Sequence, residues 1–123
     1  MHIHHERPDF RYVLLGVTSA GVAVNERVLG RSFIVTPQQL LEDWPVHENI
    51  ALCAADLEPL LALQPALIVL GTGSRLRFPS QAVSAAALTR GIGIEAMDNA
   101  AAARTFNLLA SEGRKVVAGF VLG

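Results

Sequence analysis

The alternation of apolar and polar positions divides the chain into short elements. Residues 10–18, FRYVLLGVT, are rich in β-branched and aromatic side chains and run into Ser19-Ala20-Gly21, a turn signal, so they predict a strand. Two further β-prone runs, Val22 to Val24 and Ser32 to Thr36, are separated by Asn25 and Gly30 and stopped by Pro37, which is the pattern of a hairpin. From Pro37 to Glu48 the polar residues, Trp44 and Pro45 predict a surface crossing with at most a helical turn near Gln38 to Glu42. Asp56 is then placed to cap a short helix, Leu57 to Leu63, which Pro65 stops.

The second half is more regular. ALIVLG, residues 66–71, is a continuous apolar run bounded by Pro65 and Gly71, as expected of a strand buried on both faces. Ser80 caps a helix of about ten residues closed by Gly91, and IGIEAM, residues 92–97, offers the next strand. Asp98 caps a longer helix, Asn99 to Glu112, whose Ala102, Phe106 and Leu109 fall on one stripe before Gly113 ends it. KVVAGFVLG closes the chain as a strand.

This β-α-β-α-β order predicts parallel pairing with right-handed crossovers; if successive strands step one way across the sheet, both helices lie on one face. The bare face then needs cover, and the β-rich residues 10–36 are the material for it. The expected fold is therefore α/β in three layers (β+β/α): helices on one face of a central mixed sheet and a small N-terminal β layer on the other.

Composition limits the classes of function. At 123 residues and 51% hydrophobic, one domain spanning 1–123 is expected, with 1–9 flexible. Ten basic residues against eleven acidic leave a net charge of −1 with no long run of one sign, which argues against nucleic acid as a partner. Neither a signal peptide nor a membrane span is visible, so a cytoplasmic location without membrane insertion is expected. Cys53, alone among alanines and Leu52, reads as a small buried hydrophobe, and no cofactor or metal is implied: His2, His4 and His5 sit on an unanchored terminus and His47 has no recognisable partner.

One local feature suggests chemistry. Gly71-Thr72-Gly73-Ser74-Arg75-Leu76-Arg77 follows a buried strand and precedes a helix, so backbone N–H groups can turn toward an anion that Arg75 and Arg77 would clamp. It is neither a Rossmann fingerprint, since Leu76 takes the third glycine position, nor a P-loop, since no Gly-Lys-Ser/Thr follows. If the strand at 92–97 runs parallel to 66–71, Asp98 and Asn99 meet this loop at the same sheet edge, where open α/β sheets place ligands. Asp98 also serves as an ordinary helix cap. Asn107, beside the apolar stripe, must find partners by tying down a loop or by touching a ligand. Glu112 and Arg114 flank the Gly113 stop, where capping and solvated pairing account for them.

The segments LIVLGTG, FPS, LTRGIGIEAMDNAAAARTFNLLASEGRKV and SFIVTP with Trp44 resemble a family of small proteins known as a domain of unknown function, with relatives among mitochondrial complex I assembly factors and an adipogenesis-associated protein. The chain most resembles conserved hypothetical proteins of xanthomonad-type bacteria, from about residue 10 to its end. The resemblance implies the three-layer β+β/α fold, and its motif falls on Gly71, Thr72, Gly73, Ala102, Thr105, Asn107, Leu109, Glu112, Gly113 and Arg114; it implies no settled enzymatic activity. Two functions are therefore expected in competition. One is a non-enzymatic interaction or assembly protein with a protein partner or a homodimer, which a mean hydropathy of +0.38 favours. The other is a binder of a small anion, or a weak enzyme acting on one, at Gly71, Thr72, Gly73, Arg75, Arg77, Asp98, Asn99 and Asn107.

Overall fold

The computed structural model describes residues 10–123, so the expectation for residues 1–9, with His2, His4 and His5, lies outside the described residues. Strands β1 (Leu14–Thr18), β2 (Gly21–Val24) and β3 (Arg27–Leu29) form an antiparallel meander. Strands β4 (Phe33–Val35), β5 (Leu40–Leu41), β6 (Leu67–Gly71), β7 (Gly93–Met97) and β8 (Val116–Phe120) form a second sheet in the order β5-β4-β8-β6-β7. The pairs β8/β6 and β6/β7 are parallel and β5/β4 and β4/β8 antiparallel, so this sheet is mixed, as expected. Helices α1 (Glu58–Leu61), α2 (Gln81–Leu88) and α3 (Asn99–Ser111) complete it, α1 continuing a 3-10 turn at Ala54–Leu57.

The two sheets and their layering agree with the sequence reading; the placement of the helices differs. From β6 the chain crosses through α2 to β7 at the sheet edge, then returns through α3 to β8 on the other side of β6. Two right-handed crossovers that step in opposite directions put their helices on opposite faces. Accordingly Ile68, Leu70 and Val117 pack with Val83, Ala87, Leu57, Leu60 and Trp44 on one face. Val69, Ala118 and Phe120 pack with Ala102, Phe106 and the meander residues Leu14, Val22 and Val24 on the other. Thus α3 shares its face with the small β layer instead of lying beside α2.

Four local expectations are corrected. Val22–Val24 does not pair with Ser32–Thr36: β2 turns at once into β3, with Asn25 at φ +52°, while Phe33–Val35 crosses to the second sheet and pairs with β8. Asn tolerates that left-handed backbone, and its side chain accepts from Val13 N–H and donates to Arg11 C=O. The turn near Gln38 to Glu42 is strand β5, because Thr36 Oγ1 accepts from the N–H of Gln38 and Gln39 and closes a hairpin with β4. The helix at Leu57 to Leu63 is shorter, and Asp56 does not cap it; its carboxylate accepts from Cys53 N–H within the preceding turn. Cys53 is exposed, since it stands on the surface at the start of that turn.

Candidate functional site

The reversal of strand order falls between β6 and β7, and their carboxyl ends deliver Gly71-Thr72-Gly73 and Asp98-Asn99 to one place, the juxtaposition expected of an open α/β sheet. The junction is laced by backbone bonds: Thr72 N–H to Met97 C=O at 2.9 Å, Asn99 N–H to Gly73 C=O at 2.8 Å, and Val121 N–H to Gly71 C=O at 2.8 Å. Asn99 is buried, and its amide bridges two strands, accepting from Gly73 N–H at 3.1 Å and donating to Val121 C=O at 3.0 Å. Gly71 leaves room for that amide; a Cβ there would collide with Asn99 Oδ1 and come within 3.0 Å of Phe120.

Thr72 is equally committed. Its hydroxyl donates to Arg75 C=O at 2.8 Å and accepts from Arg77 N–H at 3.0 Å, folding the loop back on itself. The loop also holds a carboxylate, the chain's own. Glu48 Oε2 accepts from both the N–H and the hydroxyl of Ser74, at 3.1 and 2.9 Å, while Arg77 Nη1 donates to Glu48 C=O at 2.9 Å. These Ser74 donors, with Arg77 and Arg75 nearby, hold the Glu48 carboxyl below the usual glutamate range. Gly73, at φ +116°, lets the carboxylate approach: a Cβ would stand 2.5 Å from Glu48 Cδ.

Of the expected site residues, Gly71, Thr72, Gly73, Asp98 and Asn99 therefore converge, and Arg75 and Arg77 lie exposed on the same loop. Asp98 caps α3, accepting from Ala101 N–H at 2.8 Å. Asn107 is elsewhere: on α3 it accepts from Leu14 N–H at 2.9 Å and donates to Leu14 C=O at 2.6 Å, pairing with β1 as a neighbouring strand would. Sequence reasoning missed Glu48, whose position twenty-six residues before Ser74 in an irregular segment carries no local signal. It also passed over the outward side chains of the same loop and of α2: Phe78 is 83% exposed, Leu76 45% and Leu88 66%. Ser80, which caps α2 by accepting from Val83 N–H, and the Thr72 bonds fix both ends of the segment that carries Leu76 and Phe78.

Among the described residues no group of three or more His, Cys, Asp or Glu side chains could hold a metal ion, and no helix is long and apolar enough to cross a membrane. The chain is 51% identical to a Xanthomonas campestris protein of known NMR structure, with a TM-score of 0.82 over 100% of this chain and 93% of that one. A Bordetella pertussis protein described as a Mth938-like domain, 24% identical, shares the fold with a TM-score of 0.80 over 98% and 92% of the two chains. In zebrafish, Danio rerio, NADH dehydrogenase [ubiquinone] 1 alpha subcomplex assembly factor 3 is 32% identical over 111 residues, 89% of this chain; the chain spans 63% of that relative's length. The family model described as protein of unknown function (DUF498/DUF598) matches residues 14–121, from the first strand to the end of the last, and the chain belongs to that family.

Proposed function

We propose that this chain is an assembly-type protein that docks another polypeptide on the outward surface around Leu76 and Phe78. The observation that carries this reading is Phe78, held 83% exposed on a loop tied at both ends. A phenyl ring fixed in water forgoes about 1.5–3 kcal/mol that burial against a partner would return. The relation to an assembly factor supports the same reading. Cytoplasmic placement, expected from the sequence, belongs to this proposal.

The test is a photo-cross-linking residue at position 78, with a second at Thr18 on the far meander as control, in the protein's own cells. One recurrent polypeptide captured from position 78 and not from position 18 is the expected result, a second copy of this chain counting as homodimerisation. The same diffuse set of adducts from both positions would refute the proposal.

A second reading, a small anion bound at Gly71-Thr72-Gly73 with Arg75 and Arg77, is favoured by the carboxylate that Ser74 already holds. An external anion has to displace Glu48, so Glu48→Gln should strengthen stabilisation by phosphate in a thermal-shift assay. No phosphate effect in either form removes this reading.

A further inference from the structure

At the opposite end of the sheet a groove of about 410 Å³ opens between the β4–β5 turn, Leu63 after α1, and the junction of α3 with β8. Its floor is apolar, with Ala110, Val116 and Val117 buried and Leu63 half-buried. Two exposed cations, Arg114 and Lys115, stand over it, and no acidic residue lines it.

These cations differ from two of the arginines at other surface hollows. Arg27 is bound to Glu42 at 2.6 Å and Arg90 to Glu58 at 3.1 Å, whereas neither the Arg114 nor the Lys115 side chain has an ion pair or hydrogen bond among the described residues. The solvated pairing expected between Glu112 and Arg114 is not formed. Their backbone is nevertheless pinned: Gly113, at φ +74°, ends α3, Arg114 N–H donates to Leu109 C=O at 3.0 Å, and Lys115 C=O accepts from Ala66 N–H at 2.8 Å. With a net charge of −1, the molecule as a whole does not gather anions, so any anion preference here is local to this pair.

We infer that this groove binds a small amphiphilic monocarboxylate, its carboxylate on Arg114 and Lys115 and its apolar body along Ala110, Val116 and Leu63. The volume falls in the range of small-ligand sites, about 300–1,000 Å³, and an unpaired guanidinium above an apolar floor matches a carboxylate bidentately. The site does not depend on the Phe78 surface, which lies at the other end of the strands.

The probe is octanoate, followed by 15N–1H correlation spectra of the intact chain, with acetate and octylammonium as comparisons. Saturating shifts confined to residues around 36–39 and 113–117 are expected with octanoate, with affinity at least about tenfold weaker for acetate. Octylammonium should produce no saturating shift there. Arg114→Ala with Lys115→Ala should lower octanoate affinity tenfold or more and leave the rest of the spectrum in place, since both side chains are exposed. Equal binding of octylammonium, octanoate shifts spread over Leu76 and Phe78 instead, or unchanged affinity in the double variant would each overturn the inference.

Discussion

Asn99 offers the sharpest test of how the strand ends are held together. Its amide is 2% exposed and satisfies one buried donor and one buried acceptor, the N–H of Gly73 and the C=O of Val121. Asn99→Ala leaves both unpaired, and each orphan costs about 1–3 kcal/mol, reduced where water can enter the vacated space. A loss of about 2–4 kcal/mol follows, near 10 °C in Tm at about 4 °C per kcal/mol for a chain of this size. Asn99→Asp separates the two bonds. One carboxylate oxygen still accepts from Gly73 N–H, but the other faces Val121 C=O with no proton to give. Burial and that carbonyl raise the folded-state pKa of the new carboxyl above its unfolded value of about 3.9. Its stability is therefore full below about pH 4, falls as pH rises through the interval between the two values, and levels off above the folded one. The gain from an acid at the first turn of α3, up to about 1 kcal/mol, is too small to cancel the loss. Urea denaturation of the wild type and both variants at pH 4.5 and pH 8 decides the matter. Asn99→Asp should approach the wild type at pH 4.5 and fall to the level of Asn99→Ala at pH 8. An alanine variant within about 0.5 kcal/mol of wild type, or an aspartate variant that tracks wild type at both pH values, would sink the argument.

Three further outcomes follow from other contacts. A Cβ on Gly119 would sit 2.8 Å from the Trp44 ring, which is itself fixed by its Nε1 bond to Asp56 C=O, so Gly119→Ala should cost about 1–3 kcal/mol by overpacking in chemical denaturation. Asn107→Ala removes both bonds to Leu14 and should cost about 1–2 kcal/mol, with hydrogen exchange accelerated in β1 and β2 before the central sheet. The lowered Glu48 pKa means that its bonds to Ser74 stabilise the fold above the unfolded glutamate value and are lost as pH falls through the lower folded value. Glu48→Gln should therefore show a shallower loss of stability than wild type between pH 6 and pH 3, and equal slopes would remove the assignment.

What could be read from the residues and what could not divide along a physical line. Ser80 and Asp98 cap α2 and α3 as their residue types require, and Gly91 and Gly113 follow those helices with φ of +72° and +74°. Such features are local, so local sequence carries them. Strand order is not local. The run Val116–Phe120 is equally apolar whether it inserts beside β6 or beyond β7, and only packing selects the former, which sends α3 to the face of the meander. The partner of Phe33–Val35 was hidden for the same reason: its apolar side chains suit either sheet, and Asn25 makes the tighter turn that claims Arg27–Leu29 for β2. Glu48 belongs to the same class, being twenty-six residues from the Ser74 that holds it.

The chemistry of the strand ends then bears on function through what has already been used. The Thr72 hydroxyl, the Asn99 amide, the Asp98 carboxylate and the Glu48 carboxylate all have partners within the chain. These bonds hold the polar groups of the strand ends in fixed positions, whereas the apolar side chains of Leu76 and Phe78 point outward from the same loop. Covering Leu76 and Phe78 removes apolar surface from water and leaves the polar lacing intact. The sheet edge that holds ligands in many open α/β proteins is here laced together by the chain's own Thr72, Asn99, Asp98 and Glu48.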